Sequence, residues 1–267
     1  MGFAEKYGPW AVVLGASEGL GEAFARAVAG RGINVVVVAR RSEPLQGVAD
    51  DIRGRFGIEA RAVALDLGAR GALDDLRAAS GDLEVGLAVY NAAASYVGEF
   101  EDQTVESMRS IVDVNCWGPL AVCEHFGGAM VRAGRGGIVL MSSGAGLAGS
   151  PYNAAYAASK AFDLVLGESL WAEWRNRGVD VLSVIGPAID TLTFRATMPA
   201  AAIAAMPPAM APADVAEEVL DALGSGPSFV PGEHNREGIG ILGTLPRRQQ
   251  VEAMAAAHAA FARRPDR

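Results

Sequence analysis

Short apolar runs alternate with amphipathic stretches along most of the chain. Residues 11–14, 34–39, 60–65, 85–90, 137–141, 179–185 and 228–230 are apolar runs of strand length, and 34–39 is nearly pure valine. Such a run suits a strand buried on both faces. Between these runs, 18–31, 43–56, 69–79, 104–133, 153–177 and 213–224 carry apolar residues at helical spacing, and the stretch from Pro246 onward also reads as a helix. Pro119 predicts a bend in the long 104–133 helix. Strands that alternate with helices in this way predict an α/β fold, a doubly wound parallel sheet with helices on both faces. No internal repeat or linker divides the chain, so 1–267 is expected to form one domain. The rhythm breaks at 192–212, where Met198, Pro199, Met206, Pro207, Pro208 and Met210 cluster among alanines.

Composition narrows the picture. Of 267 residues, 51% are hydrophobic and 20% charged, with a mean hydropathy of +0.21. That is enough apolar material for a sizeable core and excludes a disordered chain. The net charge of −8 argues against nucleic acid or an anionic membrane as partner, since both need a basic face. No strand-like apolar run approaches the ~20 residues that cross a bilayer. The opening MGFAEKYGPW carries charges and no apolar signal core, and Lys6 stands where a myristoylation signal has Ser or Thr. The expected location is the cytoplasm. Cys116 and Cys123, if on one helix, lie about 10 Å apart along its axis, too far for a disulfide. Two isolated thiols do not make a metal site, so no metal is expected.

The first candidate chemistry is the segment Gly15-Ala-Ser-Glu-Gly-Leu-Gly21, between the first strand and the first long helix. Glycines at this turn let a pyrophosphate approach the backbone, and the helix N-terminus offers it free N–H groups and a positive dipole end. This makes the expected sheet a Rossmann-like one. The same stretch contains Gly15-x-Ser17-x-Gly19, which also matches a hydrolase nucleophile elbow. That reading needs an acid and then a histidine downstream. Of His125, His234 and His258, none falls in an obvious strand-end loop with an acid before it apart from Glu233-His234, and no earlier strand exists to supply an oxyanion loop.

At the end of the second strand stand Arg40 and Arg41, with no acid before Glu43. A carboxylate here reads the ribose 2′-hydroxyl of NAD(H), whereas guanidinium groups suit a 2′-phosphate. The expected cofactor is therefore NADP(H) rather than NAD(H).

Tyr156 and Lys160 lie four residues apart near the start of a predicted helix and so share one face. A phenol ionises near pH 10, and a neighbouring ammonium favours its phenolate. Such a tyrosine can give a proton to a carbonyl oxygen or take one from an alcohol. Ser143 lies thirteen residues upstream, past the 137–141 strand, and Asn115 sits within Asp113-Val-Asn-Cys-Trp-Gly118. With GASEGLG at 15–21, Asp66-Leu67, Asn91-Ala92-Ala93, SSGAGLAGSP at 142–151 and YAASK at 156–160, the sequence resembles the short-chain dehydrogenase/reductase family over about residues 8–191.

The resemblance implies an oxidoreductase that moves a hydride between nicotinamide and a carbonyl or secondary alcohol. Tyr156 would be the general acid/base. Lys160 would support it and bond the nicotinamide ribose. Ser143, rather than its neighbour Ser142, would polarise the substrate carbonyl, and Asn115 would hold a relay water. Gly15, Ser17, Glu18, Gly19, Leu20, Gly21, Asp66, Leu67, Asn91, Ala92, Ile189 and Thr191 would line the cofactor together with Arg40, Arg41, Tyr156 and Lys160. Three departures stand out. Leu14 replaces the family's Thr, Tyr90-Asn91-Ala92-Ala93 lacks its Gly, and Gly186-Pro187 inverts its Pro-Gly.

By the same resemblance, 192–212 would cover the substrate. Its methionines are adaptable apolar contacts and Arg195 is its one arginine, which points to an apolar ketone, aldehyde or secondary alcohol. Trp117, Trp171 and Trp174 lie on helices the family uses for subunit contacts, so a homodimer or homotetramer is expected. Two alternatives stand beside this reading. One is a 3-oxoacyl-thioester reductase of the same family, which would need a basic surface for an acidic carrier. The other is a non-catalytic NADP-binding regulatory or scaffold protein, disfavoured by the intact Asn115, Ser143, Tyr156 and Lys160.

Overall fold

Alternate residues of the valine-rich strands face opposite ways, and both faces are buried. The computed structural model describes residues 2–197, 200, 203 and 208–259. Its seven strands are β1 (Trp10–Leu14), β2 (Asn34–Ala39), β3 (Ala60–Ala64), β4 (Val85–Tyr90), β5 (Gly136–Ser143), β6 (Val179–Gly186) and β7 (Ser228–Phe229). They form one sheet in the order β3-β2-β1-β4-β5-β6-β7, and every pairing is parallel. Ala11, Val13, Val35 and Val37 join one core layer, while Val12, Leu14, Val36 and Val38 join the other. Each buried valine contributes about 1.5–3 kcal/mol, so the unbroken apolar run is what two-sided burial requires.

The helices divide between the layers. After a short α1 (Phe3–Tyr7), α2 (Gly19–Gly30) and α3 (Ser42–Phe56) cover the first face with Phe24, Val28, Leu45 and Ile52. On the second face, α4 (Ala72–Ser80), the long α5 (105–133) and α6 (Ala154–Trp174) bury Leu76, Phe126 and Met130. A short α7 (Leu192–Thr197) follows β6, and α8 (Pro212–Ala222) returns to the first face with Val215 and Val219. Two further helices, α9 (Glu233–Thr244) and α10 (Arg247–His258), close the described chain.

The expected sheet and face-covering helices are all present. Several local readings are corrected. α5 is not uniformly α-helical: it widens into a π turn at Asp113–Trp117, Pro119 falls in the Gly118–Val122 turn that follows, and a second π turn comes at Cys123–Gly127. The helix expected at 69–79 starts at Ala72, because Gly71 sits at the N-cap in the left-handed region with φ 84°. The pattern reading also missed α9, whose three glycines, Gly238, Gly240 and Gly243, lower helix propensity by about 1 kcal/mol each. Trp171 and Trp174 pack against the second core layer, whereas Trp117 is 60% exposed. Met198, Pro199, Met206 and Pro207 of the expected lid lie outside the described residues.

Candidate active site

The strand order reverses direction between β1 and β4, and the crevice at the C-terminal ends of such strands is where doubly wound folds bind ligands. Leu14 of β1 pairs with Tyr90 of β4 there. Just beyond, the glycine-rich turn folds back on itself. Gly15 has φ +85°, and a Cβ on it would lie 2.7 Å from the Ala92 nitrogen. A Cβ on Gly21 would lie 2.0 Å from the Gly15 carbonyl oxygen and 2.8 Å from the Asn91 side-chain nitrogen. The side chain of Asn91 donates to that same carbonyl at 3.2 Å. Asn91 and Ala92 therefore brace the turn. Among the described residues other than glycine, only Tyr152 has positive φ. Ala93 thus sits in ordinary backbone space, and the missing family glycine is not needed there.

Helix α2 opens at this turn, and no side chain caps its N-terminal N–H groups. The carboxylate of its N-cap residue, Glu18, turns away to Arg41 at 2.9 Å and accepts a hydrogen bond from Thr193 at 3.2 Å. Arg41 also donates to the Ser17 hydroxyl at 3.2 Å, and Arg40 is exposed. A Cβ on Gly19 would lie 3.0 Å from the Thr191 methyl, so the segment after β6 overhangs the turn. Ile189 anchors that segment. It bridges Met210, with Asp190 N–H donating to Met210 at 2.9 Å and Met210 N–H to Ala188 at 3.0 Å. Asp190 is further held by two hydrogen bonds from Arg195, at 2.5 and 2.6 Å, which keep its carboxyl below the usual range. Asp66 is exposed and accepts from Gly68 N–H within its own turn at 3.1 Å, and Leu67 is half-buried beside it. The uncapped helix start, the glycine turn and the Arg41 guanidinium next to Ser17 fit the phosphates of a dinucleotide. The turn at Gly15–Gly21 would hold its pyrophosphate.

The four expected catalytic positions gather around α6. Asn115 lies in the π turn of α5, fully buried. Its side chain accepts from Ala94 N–H at 2.8 Å and donates to the Ala94 carbonyl at 2.8 Å and to Ser159 at 2.9 Å. Both N–H donors of the amide are thus committed to clamping the loop after β4 against α6. A π turn leaves backbone groups out of register, and here the Tyr90 hydroxyl captures one, donating to the Val114 carbonyl at 2.5 Å. Burial pushes that phenol well above its ordinary ionisation range.

Ser142 is buried and donates to the Lys160 carbonyl at 2.6 Å, which leaves it no part in chemistry. Ser143 is half-exposed at the end of β5, where its oxygen accepts from Ala145 N–H at 3.2 Å. Tyr156 is half-exposed, in the first turn of α6. The Lys160 Nζ lies 5.7 Å from its ring centroid. Lys160 itself is only 2% exposed. Its ammonium donates to the Met141 carbonyl at 2.7 Å and to Asp163 Oδ2 at 2.9 Å. The loop after Ser143 is covered by α10, with Arg247 donating to Leu147 at 2.7 Å and Ser150 bonded to His258 at 2.6 Å.

Asp163, Tyr90 and Ser159 were not found by motif reading. Asp163 left one signal, a lone carboxylate in the otherwise uncharged run Ala161–Gly167.

A phenol beside an ammonium, a half-open serine hydroxyl and a dinucleotide cradle at one sheet edge define a nicotinamide-type oxidoreductase site. Residues 9–201 match the family model for short chain dehydrogenase, and the chain belongs to that family. It is 32% identical over 241 residues to a 7beta-hydroxysteroid dehydrogenase of Collinsella aerofaciens, covering 90% of this chain and 92% of that one. A structure solved to explain 7beta-hydroxysteroid dehydrogenase stereoselectivity superposes with a TM-score of 0.90 at 31% identity, over 96% of this chain and all of that one. A short-chain dehydrogenase from Sphingobium yanoikuyae in complex with NADPH superposes at 0.74, 26% identical over 89% of this chain and 96% of that one. Among the described residues no helix is long and apolar enough to cross a membrane, and no cluster of three or more metal-ligating side chains occurs.

Proposed function

We propose that this oxidoreductase is NADP(H)-dependent and interconverts a bulky apolar ketone, of the hydroxysteroid kind, with its secondary alcohol. The observation that carries the reading is Tyr156 and Lys160, one helical turn apart on α6, with Lys160 bonded to the strand that ends in Ser143. The similarity to 7beta-hydroxysteroid dehydrogenases over nine-tenths of the chain supports the substrate class. The contacts of Arg41 with Ser17 and Glu18 support a 2′-phosphate at that corner.

When bound, the nicotinamide supplies the hydride. In the reducing direction Ser143 donates a hydrogen bond to the substrate oxygen, where negative charge develops. Tyr156 passes its phenolic proton to that oxygen, which completes the alcohol. Lys160 supports the transient phenolate with its charge. Asn115 holds the loop after β4 against α6. Thr191 overhangs the Gly15–Gly21 turn, its methyl close to Gly19.

Val112, Trp117 and Leu120 on α5 and Val165 on α6 are exposed large apolar side chains on two helices that pack together. Apolar patches of this kind mark interfaces, and a homodimer through this face belongs to the same proposal.

The test is NADPH oxidation with three substrate classes side by side: a 7-oxo steroid, a 3-oxoacyl thioester and a small charged ketone. Turnover of the steroid with NADPH, and little with NADH, is the expected result. Preference for the thioester favours an acyl reductase, and preference for the small charged ketone overturns the apolar pocket.

A further inference from the structure

Buried beside Lys160 lies a second ionisable group that the family motif does not include. Asp163 is one turn beyond Lys160 on α6 and 1% exposed. Its Oδ2 binds the Lys160 ammonium at 2.9 Å, and its Oδ1 is buried with no hydrogen-bond partner. Its backbone carbonyl accepts from the Ser183 hydroxyl at 3.1 Å, which ties this turn of α6 to β6. The titratable groups that face it are Lys160 on its own helix, Tyr90 on β4, and Cys116 and Cys123 on α5. From β5 and β6 come a carbonyl, Met141, and a hydroxyl, Ser183, neither charged. Lys160 is thus the cation that faces Asp163, and Asp163 is the anion bound to Lys160.

The Lys160 ammonium lies 5.7 Å from the Tyr156 ring centroid, and in general an ammonium beside a phenol favours its phenolate. A buried carboxylate 2.9 Å from that ammonium opposes the effect, because the pair carries no net charge. We propose that Asp163 is a positioning residue: its carboxylate holds the Lys160 ammonium down toward the core and offsets that charge at Tyr156, keeping the phenol in the proton-donating form that ketone reduction uses. Burial pushes the Asp163 carboxyl up to about 6, so the offset operates at neutral pH and fades in acid. The inference rests on Tyr156 being the proton donor of the proposed function.

Asp163→Asn keeps an acceptor beside Lys160 and removes the charge. The first readout needs neither cofactor nor substrate. Phenolate absorbance is titrated in the full chain, with the same titration of Tyr156→Phe subtracted to isolate Tyr156. The expected result is that the Tyr156 phenolate appears about one pH unit lower in Asp163→Asn, a tenfold change in phenolate fraction at a given pH. Asp163→Glu restores the wild-type value. The second readout is the pH profile of kcat/KM for alcohol oxidation, which shifts the same way while the KM for NADP+ stays put. A Tyr156 titration that is unmoved or moves upward overturns the proposal. Should Asp163→Asn not fold, Asp163→Leu removes the charge and fills the space, and the same two results decide. Absence of turnover in the wild type defeats the functional reading alone, because the titration still decides the role of Asp163.

Discussion

The Tyr90 hydroxyl donates to the Val114 carbonyl at 2.5 Å, so a strand residue of the sheet core fixes the π turn that presents Asn115. Gly118 makes room for the contact: a Cβ there would lie 2.0 Å from the Tyr90 oxygen. Tyr90→Phe keeps the ring and strands the carbonyl. A buried unsatisfied carbonyl costs about 1–3 kcal/mol, and that loss is the expected shift in the free energy of urea unfolding. Gly118→Ala forces the phenol out of place and is expected to be at least as destabilising. If Tyr90→Phe unfolds at the wild-type urea concentration, the contact does not hold the π turn.

In the proposed reaction Tyr156 moves the proton, and Tyr156→Phe removes that group. General acid catalysis contributes about 10²- to 10⁴-fold, and kcat is expected to fall by that factor. Binding of NADPH, followed by its fluorescence, is expected to change less than about threefold, under about 0.7 kcal/mol. A variant that keeps a tenth or more of its kcat would place the proton transfer elsewhere.

Arg41 stands at the cofactor corner with Ser17 and Glu18. A hydrogen bond to a charged group is worth about 1.5–3 kcal/mol, so Arg41→Ala is expected to raise the KM for NADPH about ten- to hundredfold. The KM for NADH is expected to stay level or fall. Equal losses for both cofactors would mean that Arg41 supports the turn and does not read the 2′-phosphate.

The sheet and its covering helices were legible because two-sided burial leaves an unmistakable mark, the valines of 34–39. Tyr156 and Lys160 were legible as a pair because spacing on one helix is a local property, whereas Ser143 and Asn115 came forward through the resemblance alone. Asp163 was not legible. Its meaning depends on Met141, Tyr90 and Cys116 arriving from three other elements, and no local pattern records that convergence. The π turns were hidden for a related reason, since Tyr90 and Val114, twenty-four residues apart, must meet before Asp113–Trp117 can widen. The short α1 and the glycine-bearing α9 bury too few apolar residues to impose a period.

The apolar face of α5 and α6 carries its own prediction. Trp117, 60% exposed, lies among Val112, Leu120 and Val165, and a charge placed there would have to be buried if two chains meet through this face. Burying an unpaired charge is strongly unfavourable. Trp117→Glu is therefore expected to turn a dimer into a monomer in sedimentation velocity, with helical content unchanged by circular dichroism. An undisturbed dimer would locate the interface on another face.

Asp163 also predicts how stability responds to pH. Its carboxyl titrates at about 6 in the folded chain, raised chiefly by burial and only partly drawn back by Lys160, against about 3.9 when unfolded. Between these values the folded state binds the additional proton. Stability from this group is therefore greatest below about pH 4 and declines as pH rises to about 6, by roughly 2–3 kcal/mol. Asp163→Asn cannot titrate, so its stability relative to wild type is expected to improve steadily across that interval and then level off. Chemical denaturation of both proteins at pH 4, 5, 6 and 7 measures the difference directly, and every other carboxylate cancels in the subtraction. A difference that stays flat with pH would mean that the carboxyl titrates alike in the folded and unfolded chains, Lys160 cancelling the effect of burial. A difference that runs the other way would mean the ion pair outweighs the burial of its acid.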